Sequence, residues 1–246
     1  MNSLLSVSQR MYDAFAPHYH EYAHAKSPYL AAVDAIILRT IKSSPHKPNH
    51  VLDVGPGDGK RIDALRKKAS FEHLTVIESS KGMADLCRKF PNTTVIHGDI
   101  VTADLPDNSF DYITCLWNVL GHIADAKDRQ KAISTMALLL KPGGLIFFDV
   151  NNRYNFVQYG SKAPANMLKD CARNNNSSGD ITFKVHVKDS VDIDAEVHLF
   201  SPWEIQQDIH HSGLDIVKKY CINYSSGKIV PTFLQGQLMY ILTKHG

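Results

Sequence analysis

Val51-Leu52-Asp53-Val54-Gly55-Pro56-Gly57-Asp58-Gly59-Lys60 is an apolar strand that runs into three alternating glycines. Glycine has no Cβ and tolerates positive φ, so a strand ending in Gly-x-Gly-x-Gly can turn sharply and let its backbone approach a ligand. Arg61 to Lys68 then reads as a helix. The unit is a strand, a tight turn and a helix, with a small-molecule site at the turn.

Two cofactor classes fit such a turn, the dinucleotides and S-adenosylmethionine. A dinucleotide fingerprint sets its third glycine three residues after the second, where it lets the helix pack and seats a pyrophosphate. Here that position is Lys60, and the third glycine, Gly59, comes one residue earlier. Asp53, inside the strand end, suits a cofactor with an amino-acid moiety and no phosphate. An NAD oxidoreductase is therefore the weaker reading.

Outward from this unit, strands and helices alternate. His50 to Val54, Leu74 to Glu78, Thr94 to Asp99, Phe110 to Trp117 and Leu145 to Val150 read as strands; Arg61 to Lys68, Ser80 to Phe90 and Asp128 to Leu140 read as helices. Such alternation predicts a parallel sheet with helices on both faces. Ile181 to Val187 and Val191 to Leu199 alternate in polarity and predict antiparallel strands outside that sheet. Ser201-Pro202-Trp203-Glu204 carries a helix-start signature, and that helix should end at Gly213. Leu214 to Tyr224 and Gln237 to Thr243 close the chain as strands. The expected fold is α/β, a doubly wound, seven-stranded, mostly parallel sheet with an antiparallel terminal pair. Residues 1–45 form an N-terminal helical lid, 46–150 the cofactor-binding core, 151–200 a substrate-side insertion, and 201–246 the helix and strand pair that complete the sheet.

Composition narrows the class. The chain has 246 residues, 43% hydrophobic and 21% charged, enough for one large domain with a substantial core. Its 27 basic and 25 acidic residues are interspersed and leave a net charge of +2, which argues against a nucleic-acid partner. No run has the length of a membrane span, and the first residues lack a signal-peptide pattern. Cys87, Cys115, Cys171 and Cys221 are far apart and read as reduced thiols of a cytoplasmic protein. A homodimer stays open. His20-Glu21-Tyr22-Ala23-His24 matches a zinc pattern, but no third ligand follows it, and no metal is expected.

In an open α/β sheet the ligand sits outside the carboxyl ends of the strands. Glu78 ends the second strand, and its carboxylate can accept both hydroxyls of a ribose. Asp99 and Ile100 follow the third, an acid for an exocyclic amine beside an apolar side chain for a purine face. Asp53-x-Gly55-x-Gly57-x-Gly59, Glu78, Gly98-Asp99, Phe110-Asp111 and Leu140-Lys141-Pro142-Gly143-Gly144 together resemble the class I S-adenosylmethionine-dependent methyltransferases, over about residues 10 to 150. The resemblance implies a Rossmann-like fold in which Gly55, Gly57 and Gly59 hold the methionine part, Glu78 the ribose, and Asp99 with Ile100 the adenine, with Met83 nearby. Pro56 departs from the usual loop and removes one backbone donor.

On the substrate side, Leu116 to Asp125 resembles the fourth-strand segment of glycine N-methyltransferases, in which an Asn and a His four residues on face the active centre. The resemblance implies that Asn118 and His122 face the active centre; Asn118 and Trp117 are expected as positioners of substrate and cofactor, and His122, the side-chain type that titrates nearest neutrality, as base or orienter. Asp149 to Asn155 is similar to that family's segment after the fifth strand, but Arg153 is displaced by about two residues, which weakens an amino-acid substrate. Tyr12, Tyr19 and Tyr154 are expected to line a methyl channel. The expected activity is methyl transfer to a small molecule. Chemistry on the aminocarboxypropyl side, such as cyclisation to azetidine-2-carboxylate, and a non-catalytic binding module are the alternatives.

Overall fold

The computed structural model describes residues 5–19, 23, 27–45, 47–172, 179–185 and 192–245. Its principal sheet has the order β3-β2-β1-β4-β5-β10-β8-β9. The strands are β1 (His50–Val54), β2 (His73–Glu78), β3 (Thr93–His97), β4 (Phe110–Cys115), β5 (Leu140–Val150), β8 (Leu214–Ile222), β9 (Ile229–Val230) and β10 (Gln237–Lys244). The first five pair in parallel, and β10 runs antiparallel to both β5 and β8. The sheet thus holds eight strands where seven were expected. The extra strand, β9, is a short edge formed when the chain turns back after β8 and pairs Cys221 with Val230.

Side chains alternate across a strand, so adjacent apolar residues must be covered on both faces. Leu52, Phe148 and Tyr240 pack with Ile133 and Met136 of helix α5 (Ala126–Leu139) and with Ile205 and Ile209 of helix α8 (Pro202–His211). Their neighbours Val51, Phe147 and Met239 pack on the other face, against Val33, Ile36 and Ile37 of helix α2 (Ser27–Ser43) and Ile62 and Leu65 of helix α3 (Lys60–Ala69). The doubly wound fold follows from that two-sided hydrophobicity.

Helix α1 (Val7–Phe15) opens on a capping box between Ser6 and Gln9 and lies across the domain. Its Met11 and Phe15 pack with Tyr19, with Met83 of helix α4 (Lys81–Cys87), and with Ala195 of strand β7 (Ile193–His198). A polar clasp fastens it as well: Asp13 Oδ1 accepts from the Ser80 hydroxyl at 2.6 Å and from the Gly82 N–H at 2.9 Å. Strand β6 (Asp180–Val185) pairs antiparallel with β7 as a separate two-stranded sheet, as expected for the insertion.

Three local differences have simple causes. Residues 151–172 contain helices α6 (Phe156–Tyr159) and α7 (Lys162–Ala172), which short amphipathic runs with polar breaks conceal in the sequence. Strand β5 begins at Leu140 and not after the glycines, because Phe110 pairs with Leu140 while Tyr112 pairs with Leu145, so that Lys141 to Gly144 bulge out of the ladder. Helix α4 stops at Cys87, short of Phe90. The His20–His24 pattern lies, apart from Ala23, outside the described residues.

The helix start at Ser201 matches expectation in detail. The Ser201 hydroxyl accepts from the Glu204 N–H, the Glu204 carboxylate accepts from the Ser201 N–H, and Pro202 occupies the first turn. Replacing Ser201 by Ala should lower the unfolding free energy by about 1 kcal/mol, measured by urea denaturation; an unchanged midpoint and slope would show that the cap contributes nothing.

Candidate active site

The strand order reverses between β1 and β4, and the crevice at their carboxyl ends is the position such folds use for ligands. A cavity of about 300 Å³ opens there. Its floor comes from consecutive strand ends: Gly55 and Gly57 after β1, Glu78 and Ser79 after β2, Gly98, Asp99 and Ile100 after β3, and Leu116 and Trp117 after β4. Tyr12 and Tyr19 roof it from the N-terminal segment, and Val119 and His122 line its far side.

The glycines are required by geometry. Gly55 and Gly57 have φ of +67° and +62°, a region closed to most L side chains. A Cβ on Gly57 would stand 2.6 Å from the Tyr19 hydroxyl oxygen, so the roof touches the turn. The buried Glu78 carboxylate braces the same turn, accepting from the Gly57 N–H at 3.2 Å and from the Ser80 N–H at 2.9 Å. Burial pushes this carboxyl up to about 7, against the pull of those N–H groups. Asp99 Oδ1 accepts from the Val101 N–H at 2.9 Å and caps the turn that presents buried Ile100.

The end of β4 is held in an unusual conformation. Trp117 and Asn118 are both left-handed, with φ of +64° and +60°. The Asn118 N–H donates to Asp149 Oδ1 at 2.9 Å, and the Trp117 indole N–H donates to the Tyr224 hydroxyl at 2.7 Å. Asp149 also accepts from the Tyr29 hydroxyl, and burial raises its carboxyl to about 6. The turn sets the Trp117 ring 6.1 Å from that of Tyr19.

His122 closes the cavity. Its Nε2 lies 3.0 Å from the Tyr12 hydroxyl and its Nδ1 3.5 Å from the Ser8 hydroxyl, which itself donates to the His122 carbonyl. The contacts are satisfied together when Nδ1 carries the proton and Tyr12 donates to Nε2. Burial lowers the imidazole to about 4, so it is neutral at physiological pH.

The cavity therefore gathers Gly55, Gly57, Glu78, Asp99, Ile100, Trp117, Tyr19 and His122. Five expected residues do not line it. Gly59 turns toward Cys87 and Phe90, and Met83 is buried beneath α1. Asp53 lies inside the sheet, accepting from the Thr114 hydroxyl at 2.6 Å. Asn118 is buried and spans the Asn151 N–H and the His198 carbonyl, a brace between segments and not a wall. Tyr154 is bound to Asp170 and packed near Trp203, on the far side of the insertion. Arg153 is likewise committed, to Asp170 at 2.7 Å and Glu204 at 2.6 Å, which removes it as a carboxylate ligand. Ser8, Asp125 and Asp128 also line the cavity and carried no motif that would have marked them.

The electrostatics select a ligand class. Glu78, Asp99, Asp125 and Asp128 face the cavity, and no Lys or Arg is among its described lining residues. A pyrophosphate would meet only acids there, while a cation is welcome. Asp53 Oδ2, buried without a hydrogen-bond partner among the described residues, lies 3.6 Å from Arg61 Nη2 beneath the turn, outside the cavity wall.

A family profile described as a methyltransferase domain matches residues 51–144, the segment that builds this floor. Residues 51–144 are thus similar to a methyltransferase domain. The chain is 34% identical over 118 residues to a ubiquinone biosynthesis O-methyltransferase of Coxiella burnetii, covering 46% of this chain and 47% of that protein. Against a protein of the same description from Paraburkholderia phymatum, identity is 30% over 56% of this chain and 62% of the other. The chain thus spans about half the length of the curated relatives it matches. Among solved structures, an S-adenosylmethionine-dependent methyltransferase from Clostridium acetobutylicum superposes with a TM-score of 0.69 at 20% identity, over 93% of this chain and 99% of that one. An S-adenosylmethionine-bound amino pentose methyltransferase from Micromonospora echinaspora gives 0.63 at 15%, over 92% and 96%. At such identity these structures speak for the fold alone.

The buried carboxyl of Glu78 gives a pH test. Its folded value, about 7, lies above the ordinary carboxylate range, so the native state binds the proton more tightly and loses stability as pH rises from about 4.5 to about 7. Over that window the wild type should become progressively less stable relative to Glu78→Gln, which cannot ionise. Parallel pH dependences of the two unfolding free energies would contradict the burial of that charge.

Proposed function

We propose that the protein is an S-adenosylmethionine-dependent methyltransferase acting on a small-molecule acceptor. The observation that carries this reading is the acid-lined cavity at the strand switch point, with no Lys or Arg among its described lining residues and Gly55 and Gly57 at its floor. The residues fit the cofactor: the glycine turn admits a close approach, Glu78 has lone pairs left after its two backbone bonds for ribose hydroxyls, and Ile100 offers an apolar cover for a purine. When bound, S-adenosylmethionine supplies an electrophilic methyl group on a positively charged sulfur.

The chain's own residues do the rest by alignment and exclusion of water. Fixing reacting atoms in an attack geometry is worth about 7 to 11 kcal/mol, and the left-handed turn at Trp117 and Asn118, pinned by Asp149, is built for such fixing. Tyr12 and Tyr19 cover the opening. His122, neutral and bonded to Tyr12, can orient an acceptor or take its proton as the new bond forms. We also infer the four-segment organisation of lid, core, insertion and completing pair, and a cytoplasmic location, supported by four unpaired cysteines. No helix among the described residues is long and apolar enough to cross a membrane.

Calorimetry with S-adenosylmethionine, followed by mass spectrometry of the products formed from acceptor pools, tests the reading. S-adenosylhomocysteine is expected; methylthioadenosine would instead indicate attack on the aminocarboxypropyl side, and no binding would remove the proposal. Glu78→Ala should weaken cofactor binding at least tenfold, since ribose hydroxyls would lose their partner. His122→Ala should lower kcat while leaving cofactor affinity within about twofold; full activity in that variant would take the histidine out of the chemistry.

A further inference from the structure

A second cavity, of about 170 Å³, abuts the first. The two share Ser6, Ser8, His122, Ile123 and Ala124, so the second cavity adjoins the first crevice along common walls. Its remaining charged lining is Arg129, Asp180, Glu196 and His198. From this cavity we propose, resting on the methyltransferase reading above, that it is the acceptor pocket and that it takes a cationic amine, held by the carboxylate of Glu196.

The charge inventory makes the case. Arg129 is buried, its Nη1 donating to the carbonyls of Ile123 and Ala124 at 2.9 and 2.8 Å, and Asp180 faces it at 3.9 Å. The buried His198 ring lies between Asp180 at 2.6 Å and Glu204 at 2.8 Å, and Glu204 is bonded in turn to Arg153. Among the described lining residues, Arg129 and His198 therefore each already face a carboxylate. Glu196 is half-buried on β7 and lines the pocket, and its carboxylate has neither a hydrogen bond nor an ion pair among the described residues. A carboxylate on a cavity wall with no counterion of its own is an open partner for a ligand cation. An anionic acceptor would meet Glu196 and Asp180 with no free guanidinium to receive it, because Arg129 and Arg153 are both engaged.

The amine nitrogen must be neutral to attack. Its ammonium form gives one proton to the Glu196 carboxylate, from which it passes to solvent. The nitrogen lone pair then forms the bond to the methyl carbon as the carbon–sulfur bond breaks, its electron pair staying on sulfur. The products are the methylated amine, protonated once, and the neutral thioether S-adenosylhomocysteine.

The test separates this proposal from the reading beneath it. Protein saturated with S-adenosylhomocysteine is titrated calorimetrically with n-butylammonium and with 1-butanol, which share a carbon chain and differ in charge. Butylammonium should bind at least tenfold more tightly than butanol, and Glu196→Gln should abolish that difference while S-adenosylhomocysteine binds the variant as it binds wild type. Equal affinities for the two probes, no binding of butylammonium, or a preference that survives Glu196→Gln would overturn the pocket assignment. Failure of S-adenosylhomocysteine to bind the wild type would overturn the methyltransferase reading instead.

Discussion

The carboxylate of Glu78 is the constraint on which the site depends. It ends β2, yet it accepts from the N–H of Gly57, in the turn after β1, and from the N–H of Ser80, which caps α4. Two neighbouring strand ends and a helix start are tied through one buried acid. The tie reaches the roof as well, because the Ser80 hydroxyl also donates to Asp13 of α1. A charge placed here costs desolvation, which the N–H groups offset only in part, and its raised pKa records the difference. Such a cost persists where the group has a further role, and a partner bringing hydroxyl donors or positive charge would lower it.

A similar device operates on the other side of the crevice. Asp149, on β5, accepts from the backbone at Asn118 and so holds two consecutive non-glycine residues in the left-handed region. Each such residue stores roughly 1 to 3 kcal/mol of strain. Without the buried acceptor that turn would relax, and the Trp117 ring would leave its place beside Tyr19. The crevice is thus defined by two carboxylates that contact backbone on an adjacent strand, and its precision comes from β-sheet neighbours, not from loops.

Much of this was legible in the sequence, for physical reasons that differ by residue. Strand and turn chemistry near Gly55 to Gly59 is local, so the glycine positions, the strand-end acids Glu78 and Asp99, and the Ser201 cap could be read from spacing. Asn118 and Tyr154 show where local reading stops. Both have the chemistry of an active-site residue, but whether a polar group faces a cavity depends on partners distant in the chain: Asn118 meets His198 and Asn151, and Tyr154 meets Asp170. Arg153 was doubted on spacing, and the structure supplies the stronger reason, two carboxylates already bonded to it. Ser8 and Glu196 gave no signal because one sits on α1 and the other on β7, and only the folded chain brings them to the wall of one cavity beside His122.

The low proton affinity of His122 follows from the same electrostatics and explains a choice of residue. A positively charged ligand in the crevice would be repelled by an imidazolium on its far wall, and among the described residues the ring nitrogens of His122 meet the hydroxyls of Tyr12 and Ser8 and no carboxylate. Burial resolves the conflict by keeping the ring neutral down to about pH 4. A lysine at this position would carry charge into the cavity, and a carboxylate would add to the acids already there. A histidine bonded to two hydroxyls is the group able to face a cation without charge of its own, its Nε2 lone pair held by Tyr12.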